Sequence, residues 1–271
     1  MITFIGRIEK AWVKNNSLVC VGLDPDSQRI PAPLLGAEHP IFEFNKSIVD
    51  ATADLVCAYK PQFAHYAAEG AENQLLMTIG YIHDQYPDIP VILDAKRGDI
   101  GSTARMYARE VFDRYKADAV TVNPFLGRDA LEPFLDRKDK GVIILCRTSN
   151  PGARDIQDLE TRGKKLYEVI AQKASDEWNV NNNVLLVVGA TYPQELKEIR
   201  AIVGEMPLLV PGIGAQGGDI EAAVKNGKNT HGNGMIINSS RGIIYAGSGP
   251  DFAEAAREAA ETLRKEINKY R

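Results

Sequence analysis

Val91-Ile92-Leu93-Asp94-Ala95-Lys96-Arg97-Gly98-Asp99-Ile100 begins as an apolar strand and closes in acid, base and acid. Side chains two apart in a strand point the same way, so Asp94 and Lys96 project together, with Asp99 just beyond. Buried charge is costly unless paired. Three ionisable groups closing a hydrophobic strand therefore mark its end as a working site.

Similar short apolar runs recur on either side: Leu18 to Leu23, Leu55 to Tyr59, Ala119 to Val122, Val142 to Cys146, Val184 to Val188, Leu208 to Val210 and Met235 to Ile237. They are continuous rather than alternating, the pattern of parallel strands covered on both faces. Helical stripes lie between them: Ile41, Phe44, Ile48, Val49 and Thr52; Leu75, Ile79 and Ile82; Leu166, Val169 and Ile170. Pro193 and Pro250 stand where a first helical turn accepts proline, and Asn179 to Asn183 reads as a polar loop. With Val91 to Leu93 this makes eight strands. They predict an α/β protein, a (β/α)8 TIM barrel of one domain spanning residues 1–271, close to the usual size of about 250 residues. A doubly wound open sheet is the alternative, but Val21-Gly22-Leu23-Asp24-Pro25 lacks the glycine fingerprint expected after its first strand.

Composition narrows the class. The 271 residues are 44% hydrophobic with a formal net charge of −4. No basic block points to nucleic acid or a membrane surface. No apolar run approaches the roughly 18 residues of a membrane span, and the first residues do not read as a signal peptide. Cys20, Cys57 and Cys146 are isolated within apolar runs, as expected of buried thiols in a reducing cytoplasm. His39, His65, His83 and His231 show no metal-ligand spacing. His39 and His83 read as surface residues flanking helices, and His65 as a candidate for the edge of the site.

Barrel active sites lie just after the strands, and unusual residues gather there. Strand 1 ends in Asp24, strand 2 in Lys60, strand 3 in Asp94 and Lys96, strand 4 in Asn123, and strand 5 in Arg147-Thr148-Ser149. Singly, these charges have plain structural readings: Lys60 and Lys96 as ion-pair partners, Asp99 as cap of a helix beginning near Ser102, Asp24 as a turn residue before Pro25. Gathered at the same ends of three strands, they read better as one site. Strands 7 and 8 run into Pro211-Gly212-Ile213-Gly214-Ala215-Gln216-Gly217-Gly218 and Asn238-Ser239-Ser240-Arg241-Gly242. Glycines that let backbone N–H groups approach an anion, beside an arginine able to form a bidentate pair, predict a phosphate site.

The stretch Leu93 to Thr103 resembles the Asp-x-Lys-x-x-Asp-Ile motif of the orotidine 5′-phosphate decarboxylase family, most closely its longer bacterial branch. Gly22-Leu23-Asp24-Pro25, Tyr59-Lys60-Pro61, Arg147 to Gly152, Pro211 to Gly217 and Ser239-Ser240-Arg241 match in order across almost the whole chain. The shorter branch has Arg-Lys-Phe-Ala-Asp where this chain has Ala-Lys-Arg-Gly-Asp, a change that keeps Asp94, Lys96 and Asp99. The resemblance implies decarboxylation of orotidine 5′-monophosphate to UMP, with no metal or other cofactor. It assigns Lys60, Asp94, Lys96 and Asp99 to an alternating charge network in which Lys96 stays cationic and protonates C6 of the pyrimidine. It gives Asp24 and Lys60 to the ribose, Ser149 and Pro211 to the pyrimidine, and Gln216, Ser240 and Arg241 to the phosphate. It also implies a homodimer, Asp99, Ile100 and Thr103 entering the neighbouring subunit's site. A Mg2+-dependent sugar-phosphate decarboxylase, a Schiff-base aldolase and a catalytically silent phosphate-binding barrel are the rival readings. A lysine held between carboxylates is a poor Schiff-base nucleophile.

Overall fold

The computed structural model describes residues 2–213 and 219–271. Its frame is eight parallel strands: β1 (Val19–Leu23), β2 (Ala58–Pro61), β3 (Ile92–Arg97), β4 (Ala119–Val122), β5 (Gly141–Arg147), β6 (Val184–Val188), β7 (Leu208–Pro211) and β8 (Met235–Ser239). They pair in the order β2-β1-β8-β7-β6-β5-β4-β3. Bridges Tyr59–Val91 and Gln62–Asp94 join β2 to β3 and close the ring. The chain is thus a (β/α)8 TIM barrel, not an open sheet. Every residue of β1, β6 and β8 is buried, because inner faces fill the barrel while outer faces meet helices. Each fully buried Val, Leu or Ile contributes about 1.5–3 kcal/mol over its exposed state.

The helix Phe4–Lys14 precedes β1 and buries Phe4, Ile8, Ala11 and Trp12. Phe4 lies where strands β4 and β5 begin: a Cβ on Gly141 would meet its ring at 2.3 Å and the Ala119 Cβ at 2.8 Å. Glycine at 141 is therefore a packing requirement.

Helices Pro40–Thr52 and Glu72–Gln85 bury the apolar stripes read from sequence. Helix Leu166–Lys173 does not: it buries Tyr167 and Ala171, leaving Leu166, Val169 and Ile170 half-buried. The Cys146 thiol on β5 donates to the Tyr167 carbonyl at 3.2 Å, and the small Ala171 one turn on permits close approach. Pro193 opens the helix Pro193–Val203 as predicted, whereas Pro250 lies before the Asp251 cap of helix Phe252–Asn268. His83 is not a free surface residue but only partly exposed. It is half-buried in the last turn of its helix, with Nε2 2.9 Å from the Asp118 carboxylate, which also pairs with Arg7 and accepts the Val91 N–H. The three cysteines are buried and free. Among the described residues, no helix is long and apolar enough to cross a membrane.

Candidate active site

A cavity of about 410 Å³ opens at the C-terminal ends of the strands, within the size range of small-ligand sites. Apolar side chains Leu145, Val187 and Leu209 form one wall. Opposite them the barrel delivers a chain of charges. Lys60 lies inside β2, its Nζ 3.0 Å from Asp94 Oδ2 and 4.0 Å from Asp24 Oδ1. Asp94 Oδ1 accepts from Lys96 Nζ at 2.7 Å and from the Thr121 hydroxyl at 2.8 Å. The prediction that Asp94 and Lys96 project together therefore holds.

Lys60 is only 3% exposed and Asp94 8%, whereas Lys96 opens to solvent at the mouth. Burial pushes the Asp94 carboxyl up, but the charges and hydrogen bonds of Lys60 and Lys96 outweigh it and hold the group well below the usual carboxylate range. Burial alone would lower Lys60; Asp94 and Asp24 overcome that and hold it above the ordinary lysine value. The neighbouring Cys20 thiol is pushed up to about 12 by burial, so it is neutral at physiological pH. Asp24 Oδ1 is buried and accepts no hydrogen bond among the described residues, with Lys60 Nζ 4.0 Å away.

The strand that carries Asp94 and Lys96 is distorted to do so. Leu93 pairs with Val120 and Arg97 with Val122, so Asp94, Ala95 and Lys96 stand opposite Thr121 alone. This bulge puts Lys96 at φ +46°, in the left-handed region, at a cost of about 1–3 kcal/mol for a non-glycine residue. Its far end is clamped: Arg97 forms a bidentate pair with Glu110 at 2.8 and 3.0 Å, and its guanidinium lies over the rings of Phe63 and Tyr107.

The phosphate candidates lie at the other end. Pro211 lines the cavity, and Gly212 turns the chain at φ +101°. Gln216 falls outside the described residues. Ser240 and Arg241 line the cavity after β8. A Cβ on Gly22 would come within 1.8 Å of Ser240 Oγ, so only glycine on β1 lets Ser240 sit there. Asn238, not singled out as a site residue from sequence, also lines the cavity; its amide nitrogen is 3.4 Å from Ser240 Oγ.

Ser149 lines the cavity, on a loop anchored from below. Arg147 is fully buried, its guanidinium 3.3 Å from Asp158, 4.0 Å from Glu195 and stacked over Tyr192. Gln157 holds Thr148 through both its backbone N–H and its hydroxyl, each at 2.9 Å.

Several sequence candidates lie elsewhere. His65 is exposed on the helix Phe63–Ala68, with Nδ1 2.8 Å from the Pro25 carbonyl, and does not line the cavity. Asn123 caps the turn Pro124–Leu126. Asp99 does not cap the following helix, whose cap position is Ile100; its carboxylate accepts the Ile100 N–H at 2.8 Å. Asp99, Ile100 and Thr103 lie outside the cavity of a single chain, and Ile100 and Thr103 are exposed. Thr121 was missed altogether, because only the strand register shows what stands opposite the bulge.

Comparison with known proteins adds an independent finding. The family model "Orotidine 5'-phosphate decarboxylase / HUMPS family" matches residues 17–259. The chain is 60% identical over 270 residues to an orotidine 5'-phosphate decarboxylase of Dechloromonas aromatica, covering 100% of both chains. It is 59% identical over 268 residues to one of Ralstonia nicotianae, covering 99% of each. Among solved structures, Leishmania donovani OMP decarboxylase superposes with TM-score 0.86 at 38% identity, covering 99% of this chain and 98% of that one. Leishmania donovani UMP synthase gives 0.88 at 40% identity, and this chain spans 57% of its length.

Proposed function

The chain belongs to the orotidine 5′-phosphate decarboxylase / HUMPS family and is an orotidine 5′-phosphate decarboxylase of pyrimidine biosynthesis; from that premise we propose that the reaction runs on its charged side chains alone, without metal or cofactor, with Lys96 as proton donor. The observation that carries this reading is the preassembled row Lys60–Asp94–Lys96, linked at 3.0 and 2.7 Å and running from the buried floor of the cavity to its mouth.

The C6–carboxylate bond of orotidine 5′-monophosphate breaks, its electron pair stays on C6, and CO2 departs. Lys96 Nζ lies over the developing carbanion, stabilises it and gives it a proton, forming UMP; solvent then reprotonates the amine. Asp94 faces the substrate carboxylate. Two such charges about 4 Å apart repel by roughly 4 kcal/mol at an effective dielectric of 20. A very large acceleration demands roughly 20 kcal/mol. Most of the help must therefore come from placed charge that needs no reorganisation, and the Lys60 pair supplies that rigidity.

Asp24 and Lys60 bind the ribose hydroxyls, and Ser149 and Pro211 face the pyrimidine. Ser240 and Arg241 hold the phosphate, together with Gln216, which lies outside the described residues. The enzyme works as a homodimer: Asp99, Ile100 and Thr103 enter the partner's site, and Asp99 flanks Lys96 from across the interface. Ile100, Met106 and Phe125 are large apolar side chains exposed by 58, 52 and 80%, which a second copy could cover. The whole chain, 1–271, acts as one catalytic barrel in the cytoplasm, and neither nucleic acid nor membrane takes part. Loss of orotidylate absorbance with stoichiometric UMP formation, undiminished by EDTA, is the expected result. A rate that vanishes with EDTA and returns with Mg2+ contradicts the metal-free reading.

A further inference from the structure

We infer that Thr121 is a positioning residue that sets the geometry of the reacting pair, a role that rests on the reading of Lys96 and Asp94 given above. Thr121 is 1% exposed in the middle of β4. Its hydroxyl donates to Asp94 Oδ1 at 2.8 Å and accepts the Lys96 backbone N–H at 2.9 Å. A hydroxyl has a single proton, so these two bonds fix its orientation.

Each bond has a distinct effect. The first adds a second donor to the oxygen that Lys96 Nζ takes at 2.7 Å, while Lys60 holds the other oxygen at 3.0 Å. The carboxylate is thereby held at both oxygens and cannot rotate without breaking a bond. The second supports the bulge. Three residues of β3 face one of β4, so the Lys96 N–H is withdrawn from the regular ladder, and the left-handed backbone at φ +46° persists only if its surroundings hold it. Thr121 Oγ1 stands in for the missing carbonyl. One side chain thus ties the carboxylate and the peptide of the lysine to the same point on a rigid strand.

Valine has the same shape and suits a strand equally well, yet it offers neither bond. Thr121→Val removes one of the three bonds to the Asp94 carboxylate and lets the Lys96 peptide relax, so the ammonium spreads over a wider range of positions. Proton delivery depends on that placement, whereas ground-state binding of the nucleotide rests on the far end of the cavity.

The test compares wild type, Thr121→Val, Thr121→Ser and Lys96→Ala on orotidylate, with active sites counted by UMP binding so that only folded protein enters kcat. We expect Thr121→Val to lower kcat by about tenfold to a hundredfold, the effect of losing a hydrogen bond to a charged group, with KM and UMP affinity little changed. Thr121→Ser restores most of the rate because it keeps the hydroxyl. Wild-type kcat in Thr121→Val, beside an inactive Lys96→Ala, overturns the role of Thr121 and leaves the reading of Lys96 standing. Equal losses in the Val and Ser variants also overturn it, since methyl packing and not the hydroxyl is then what matters. An active Lys96→Ala removes the reading on which the inference rests.

Discussion

Lys60→Met keeps the length and apolar stem of a buried side chain and removes its charge, leaving Asp94 and Asp24 facing the gap. At an effective dielectric of about 20, the lysine attracts Asp94 at 3.0 Å by about 5.5 kcal/mol and Asp24 at 4.0 Å by about 4 kcal/mol. Part of that is returned, because the ammonium no longer has to be desolvated. Asp94 remains buried, with Lys96 and Thr121 as its remaining side-chain partners among the described residues. Breaking a buried pair costs about 3–5 kcal/mol when one charge is left with no partner; that is the upper limit here because Lys96 and Thr121 still hold Asp94, and it is a large share of the roughly 5–15 kcal/mol that keeps a domain folded. The sign with pH follows from the carboxylate. In the wild type its folded pKa is depressed, so its stabilising effect is present above the unfolded value of about 3.9 and is lost only as pH falls through the depressed value. Without Lys60 that pKa rises, and protonation relieves the buried charge at milder acidity. Urea unfolding of both proteins between about pH 8 and 3, a range that spans the unfolded carboxylate value, is expected to show the greatest destabilisation at the alkaline end and a smaller one in acid. A loss below about 1 kcal/mol, or one that does not change with pH, refutes the reasoning, since an exposed pair behaves that way.

Arg241→Ala is expected to raise KM for orotidylate by about tenfold to a hundredfold, the effect of a charge-assisted pair, while leaving the slow turnover of phosphate-free orotidine unchanged; equal losses on both substrates contradict the phosphate assignment. Gly22→Ala places a Cβ 1.8 Å from Ser240 Oγ. It should raise KM and lower stability by about 1–3 kcal/mol, as overpacking does, and an unaltered melting temperature and KM argue against the close approach of β1 to Ser240. Lys96→Ala and Asp99→Ala are each expected to be inactive as homodimers. Mixed in equal amounts after subunit exchange, they should regain about a quarter of wild-type activity, because half the dimers are hybrids with one intact site; no recovery means Asp99 does not act across the interface.

The barrel was legible in the sequence because strands buried on both faces leave uninterrupted Val, Ile and Leu runs, and all eight fall within or beside the observed strands. Much of the charge network was legible for a related reason: Lys60, Asp94 and Lys96 interrupt or close those runs, where an unpaired charge is too costly to be accidental. What escaped depends on register and on packing between distant segments. The bulge at Asp94 to Lys96 and the Thr121 contact exist only once β3 is aligned with β4. Arg147 reads as a mouth residue because it closes β5, yet Asp158, Glu195 and Tyr192 draw it fully inside, where it anchors the loop that carries Ser149. His83 looked like a surface residue because nothing in its own helix points to Asp118, which begins the approach to β4 thirty-five positions later. The stripe on the helix after residue 165 was misjudged because small residues, Ala171 among them, set which face docks.

A single-turnover assay of Lys96→Ala on orotidylate most directly tests whether one ammonium, held by Asp94 2.7 Å away, protonates the pyrimidine. The account predicts no UMP formed above background from a variant that is folded and still binds UMP. UMP formed at near wild-type rate by that variant contradicts it.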